Sequence, residues 1–185
     1  MPKILPQLNH VGIYVSDMDG MVKFYTKVLN MAVTDAGVAA SVGTNCTFLS
    51  SDPRAHHQLV LITWPKGRER GPGNVNQLSF KIETIAELRA LCERVDRAGV
   101  APTKPLNHGN ALSVYTHDPE GNGVELYMDL PWHVSQPFGD PLDLRQSDAQ
   151  IMRTTEERVR LDPSFQPRDR WAEQVKRILS ETQTG

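Results

Sequence analysis

The feature that most constrains this chain is an order of signals met twice: strand, helix, then three strands. Residues 8–16 read LNHVGIYVS, with Val11, Ile13 and Val15 alternating with His10, Gly12 and Tyr14. That alternation is the period-two signature of a strand. Ser16 and Asp17 offer caps, and the next segment sets Met18, Met21, Val22, Tyr25, Val28 and Leu29 at helical spacing. Short β-prone runs follow at residues 32–35, 39–49 and 58–63, closed by Pro65-Lys66-Gly67. The charged, Gly- and Pro-rich stretch KGRERGPGN reads as a surface connector, after which the pattern restarts.

The second round opens with a strand over 75–83, its apolar positions being Val75, Leu78, Phe80 and Ile82. Thr84 and Glu87 fit a capping box, and Ile85, Leu88, Leu91, Cys92 and Val95 make one helical stripe that Gly99 stops. A short run at 101–103, a strand at 110–116, the turn Asp118-Pro119-Glu120-Gly121-Asn122 and a strand at 123–128 complete it. One βαβββ unit cannot bury its sheet face alone, whereas two units pairing their sheets can enclose an open, barrel-like cleft. The expected fold is therefore α+β: paired βαβββ modules over about 6–64 and 75–129 forming one domain, residues 1–129. Beyond it the composition shifts. Ser147 caps a helix reaching about Leu161, Pro163 and Pro167 bound a link, and 170–180 form a last helix. Residues 130–185 are thus expected to be a C-terminal helical tail packed on the barrel or on a neighbouring subunit.

Composition narrows the function. Twenty Lys and Arg against 22 Asp and Glu leave a net charge of -2 over 185 residues, no electrostatic reason to bind nucleic acid or an anionic membrane. Cys46 and Cys92 are too few for a disulfide framework and lack metal-finger spacing. The Pro-broken start is too short for a signal sequence, and no apolar run approaches the ~20 residues of a membrane span. A soluble, cytoplasmic protein is the expectation.

Chemistry is sought where polar side chains alternate inward. His10 on the first strand, Gln77 on the fifth and Glu125 on the last all face away from the apolar layer of their strands. A buried lone carboxylate is costly without a partner, and a divalent metal is one such partner. His56 alternates to the face opposite His57, His117 falls at turn surface, and His133 stands at the tail junction. Gly71-Pro72-Gly73 lacks the Lys-Ser/Thr and helix of a phosphate loop.

The opening LNHVGIYVSDMDGMVKFYTKVLNM and the closing DPEGNGVELYMD resemble the vicinal oxygen chelate superfamily, which includes glyoxalase I, bleomycin and fosfomycin resistance proteins and type I extradiol dioxygenases. The likeness spans roughly residues 6–129. SSDPRAHHQLVLITW and NHGNALSVYTHDPEGNGVEL resemble the extradiol branch, near small one-domain biphenyl-2,3-diol dioxygenases. The resemblance implies a metal cleft with His10 and Glu125 as ligands. It makes His57 a second-sphere acid/base, Tyr115 a hydrogen-bond donor to substrate oxygens, and His108 a contact to the catecholate. It departs at the second ligand, where His-x-Ala-Phe is replaced by Gln77-Leu78-Ser79-Phe80. An amide oxygen is neutral like imidazole but harder, so Fe(II) is the implied ion while Mn(II) or another hard divalent ion gains ground.

The expected function is thus extradiol cleavage of a catechol-like aromatic diol by dioxygen. Phe80, Leu112, Trp132 and Val134 are candidates to line the ring side, and a homodimer is the oligomer the resemblance implies. One alternative is a glyoxalase-type isomerase or epimerase, which wants a carboxylate on the fourth strand where this chain has LVLIT. The other is a non-catalytic aromatic-binding protein of the bleomycin-resistance type, for which Gln77 speaks.

Overall fold

The computed structural model describes residues 6–39, 43–65, 67 and 75–181. Most of the connector 66–74, with Arg68, Arg70 and the Gly71-Pro72-Gly73 run, therefore lies outside the described residues, as does the start of the chain. Two units are present, one formed by residues up to Asn76 together with His117–Asn122, the other by Gln77–Thr116 and Gly123 onward. Among the described residues the class is α+β with two βαβββ-type sheets, neither of which closes on itself, and four α-helices. No described helix is long and apolar enough to cross a membrane.

In the first unit β1 (Val11–Val15), β2 (Ala32–Ala39), β3 (Thr44–Ser50) and β4 (Leu59–Thr63) form a sheet in the order β1-β4-β3-β2. β1 and β4 run parallel with Val11 opposite Leu59. Helix α1 is short, Met18–Lys23, and passes into a π-helical turn over Phe24–Val28. The apolar stripe read from the sequence is nonetheless in place: Met21 and Tyr25 are fully buried. β2 runs on to Ala39 where the expected run stopped at Asp35, and nearly all its residues are exposed. At a sheet edge only one side of the ladder is paired, so apolar alternation is not required and the pattern does not mark its length.

Tyr25 carries a buried polar handle. Its hydroxyl donates to Asp118 Oδ2 at 2.9 Å. Asp118, 2% exposed, also accepts from the N–H groups of Glu120 and Asn122 and from Asn122 Nδ2. Burial, and then the Asp118 charge, pushes the phenol far above its ordinary pKa. Tyr25→Phe is expected to destabilise the chain by about 1–3 kcal/mol, because it removes a donor from a buried carboxylate while leaving the ring's packing intact. Urea unfolding reads the difference; an unchanged midpoint would mean the bond contributes nothing.

In the second unit β5 (Leu78–Lys81), β6 (Lys104–Asn107), β7 (Ala111–His117) and β8 (Gly123–Asp129) form a sheet with the two-residue β10 (Asp140–Pro141), in the order β10-β6-β7-β8-β5. Helix α2 (Ile85–Ala98) shows the expected capping box of Thr84 and Glu87, ends at Gly99 in the left-handed conformation, and buries Ile85, Leu88, Cys92 and Val95. Residues beyond Asp129 add to this unit. β9 (Trp132–His133) pairs with β11 (Gln166–Pro167), and β10 pairs with β6. Helix α3 (Asp148–Val159) starts on the Ser147 cap and buries Ile151, Thr155 and Val159, and α4 (Arg168–Glu181) follows β11.

Candidate functional site

Strand register assembles a polar face on the second sheet. β5 and β8 are parallel with Ser79 opposite Glu125, so Gln77, two residues earlier, shares that face. On β7, Ser113 and Tyr115 have the matching parity. On β6, Leu106 lies opposite Ser113, which puts His108 on the same side. The alternating residues Leu78, Val124, Leu126, Leu112 and Val114 are buried and form the other face. Phe80 and Leu112 therefore turn away from the polar cluster, which corrects the expectation that they line the ring side.

Glu125 is the centre of the cluster and is 8% exposed. Its Oε2 accepts from Gln77 Nε2 and Ser79 Oγ, each at 2.6 Å, and its Oε1 from the fully buried Ser113 Oγ at 2.8 Å. Three donors keep a buried carboxylate tolerable. Next to it, His108 Nε2 lies 2.8 Å from the Tyr115 hydroxyl and His108 Nδ1 lies 2.9 Å from the carbonyl oxygen of Phe138. Burial, with the charge of the nearby Glu125 carboxylate, pushes the Tyr115 phenol up to about 12. At neutral pH Tyr115 is thus a donor that keeps its proton.

The first unit gathers imidazoles. Because Val11 is opposite Leu59, the residues just ahead of β1 and β4 meet at one sheet end, and the His10 and His57 rings lie 4.3 Å apart. Phe48 presents its ring edge-on to His57 at 5.1 Å. His56 was expected on the opposite face from His57, but its Nδ1 is 2.8 Å from His57 Nδ1. Strand alternation does not hold there, since residues 51–58 are loop and not strand. Burial, and then the neighbouring His10 and His56, holds the His57 pKa below its ordinary value. His57 is therefore a neutral imidazole at pH 7, able to take a proton.

The structure thus brings Gln77, His108, Tyr115 and Glu125 together in one unit, and His10 with His57 in the other. Among the described residues no three His, Cys, Asp or Glu side chains gather as a metal site. Two of the three expected ligands are brought together in the second unit. Glu125 and the Gln77 amide are in contact, and turning that amide end for end sets a second oxygen beside the carboxylate. A cation stabilises that pair, and oxygen donors suit a hard one. Ser79 and Ser113 were missed by sequence reasoning, although the same strand parity that singles out Gln77 and Glu125 marks them. His133 stacks on Trp171 of α4 with ring centroids 4.9 Å apart.

With this geometry in view, comparison with known proteins identifies the class. Residues 7–126 match the family model of the Glyoxalase/Bleomycin resistance protein/Dioxygenase superfamily, and the chain belongs to that family. Biphenyl-2,3-diol 1,2-dioxygenase 2 of Rhodococcus globerulus is 32% identical over 127 residues, 67% of this chain and 63% of the relative. The match therefore spans less than two thirds of that dioxygenase's length. The lactoylglutathione lyase of Salmonella typhimurium is 25% identical, covering 65% of this chain and 90% of the relative. In fold, the chain is similar to the fosfomycin resistance protein FosX of Listeria monocytogenes, solved with Mn(II) and sulfate. That structure has a TM-score of 0.52 and 20% identity, and the match covers 69% of this chain and 95% of that one.

Proposed function

We propose that the chain is a divalent-metal-dependent dioxygenase that opens a catechol-like aromatic ring beside its two hydroxyls. The observation that carries this reading is the His108–Tyr115 pair set beside Glu125 on one sheet face. Isomerase chemistry has no need of that pair, and β4 carries no carboxylate to serve as its base. The likeness to a biphenyl-diol dioxygenase supports the reading. His10, Gln77 and Glu125 are the residues that would hold the ion, Fe(II) or the harder Mn(II). When bound, such an ion supplies Lewis acidity toward the two adjacent oxygens of the diol and a place for dioxygen.

The rest falls to side chains. Tyr115, protonated at working pH, rests with its proton on His108 Nε2 and turns that proton to a diol oxygen when the diol binds, favouring the oxygen's ionised form. His108 orients that hydroxyl through its Nε2. His57, kept neutral by burial and then by the neighbouring imidazoles, takes a proton and returns it later in the reaction.

The test is anaerobic loading with Fe(II) or Mn(II), addition of 2,3-dihydroxybiphenyl, then oxygen. A yellow ring-fission product dependent on both metal and oxygen is the expected result. No colour with metal bound would sink the dioxygenase reading for this diol. A second reading, a metal-free binding protein, draws on the three protein donors that already satisfy Glu125. Tight aromatic binding by an apo protein that takes up no metal would establish it instead. Gln77→His is expected to tighten Fe(II) by roughly tenfold or more, read by competition with a chelator; unchanged affinity would remove Gln77 from the ligand set.

A further inference from the structure

The family match ends at residue 126, yet the carbonyl that holds His108 Nδ1 comes from beyond it. The His108 ring is engaged at both nitrogens, Nδ1 by the Phe138 carbonyl at 2.9 Å and Nε2 by the Tyr115 hydroxyl at 2.8 Å. A carbonyl oxygen only accepts, so Nδ1 must carry a proton. In the neutral ring Nε2 is then a lone pair, and Tyr115 donates to it. The Phe138 carbonyl thereby chooses the tautomer, and with it the direction in which the Tyr115 proton points.

One side chain holds the two partners in line. Gln136 Oε1 accepts from the Phe138 N–H at 3.0 Å, while its Nε2 donates to the His108 carbonyl at 2.8 Å and to Asn110 Oδ1 at 3.1 Å. The amide spans from the backbone that bears the imidazole to the backbone that bears its acceptor. Trp132 and Thr155 fasten the same turn, Trp132 Nε1 donating to the Gly109 carbonyl and Asn107 Nδ2 donating to Thr155 Oγ1 at 2.7 Å. Val134 and Val159, both fully buried, close over Gly109.

We propose that Gln136 is a positioning residue: through Phe138 it fixes His108 as the Nδ1–H tautomer, so the segment after the family-matched region completes the His108–Tyr115 pair. In function this rests on the dioxygenase reading, but the tautomer itself does not. An enzyme built this way needs its C-terminal segment docked for His108 Nε2 to hold the Tyr115 hydroxyl in place before a substrate arrives.

The test uses the full chain labelled with 15N-histidine, with long-range proton–nitrogen correlation spectra of the wild type and of Gln136→Ala. His108→Gln assigns the signals. His108 is expected as the Nδ1–H form in the wild type. In Gln136→Ala, whose side chain is exposed and whose loss spares the core, that form is expected to give way to a mixture with Nε2–H. An Nε2–H ring in the wild type, or a tautomer unmoved by Gln136→Ala, overturns the proposal. If the chain turns over a diol, Gln136→Ala is also expected to lower kcat by about 10- to 100-fold with KM nearly unchanged, as misaimed groups do. A tautomer shift in a protein without ring cleavage would uphold the positioning role and remove the dioxygenase reading alone.

Discussion

On the proposed function, Glu125→Ala is expected to abolish divalent-metal binding and to bring ring cleavage to background. Glu125 is the one anionic member of the set His10, Gln77 and Glu125. Partners merely bonded to a metal's ligands are worth about 10- to 100-fold in affinity, so loss of the charged ligand itself should cost at least about 100-fold. The substitution also strips Ser113 Oγ, fully buried, of its acceptor, and frees Gln77 Nε2 and Ser79 Oγ. A buried unpaired hydroxyl costs roughly 1–3 kcal/mol, partly offset because a buried carboxylate no longer has to be desolvated. Glu125→Gln separates the two effects, since it retains an oxygen for Ser113 while removing the charge. Metal titration of the two variants decides the assignment. Wild-type metal affinity in Glu125→Gln, alongside an unchanged melting temperature, would show that Glu125 is a structural acceptor and not a ligand.

Gly109→Ala is expected to be the most damaging small substitution in the second unit. Gly109 has φ of +73°, and a Cβ there would stand 2.7 Å from Val134 Cγ2 and 3.1 Å from both Phe138 Cδ1 and Val159 Cγ1. Left-handed backbone costs an L-residue about 1–2 kcal/mol, and forcing a methyl into a packed core roughly another 1–3. Val134 and Val159 are fully buried and short, so neither can swing aside. A loss of roughly 2–5 kcal/mol corresponds to a fall in melting temperature of roughly 5–15 °C for a chain of this size. The damage is also directional, because the clash pushes on Phe138, whose carbonyl holds His108 Nδ1. A folded Gly109→Ala variant melting with the wild type would mean that the turn closes less tightly than its geometry shows.

Much of the candidate site was legible in the chain as written. Strand alternation predicts that Gln77 and Glu125 each face away from the apolar layer of their own strands, because the period of two is a property of the backbone, and the β5–β8 register then brings the two together. The capping box at Thr84 and Glu87 and the Gly99 stop were equally local, and each is found where its residues predict. Alternation failed at His56, since the rule applies only inside a strand and residues 51–58 are loop. The β6 strand was misplaced by a few residues, Lys104–Asn107 and not 101–103, because a short strand carrying Pro105 has too few alternating positions to mark its limits.

Periodicity along the chain determined the two βαβββ rounds, the buried helical stripes, and which side chains share a strand face. These depend on neighbours within a few residues, where backbone geometry and apolar spacing act directly. Tertiary structure alone decided how Glu125 is satisfied, which imidazoles meet in the first unit, and what holds His108. The bonds from Gln136 to His108 and from His108 to Phe138 join residues 28 and 30 apart across irregular backbone. No periodicity survives that distance, and the meeting of those groups follows only once β9, β10 and α3 have docked on the second sheet and buried Val134, Ile151 and Val159.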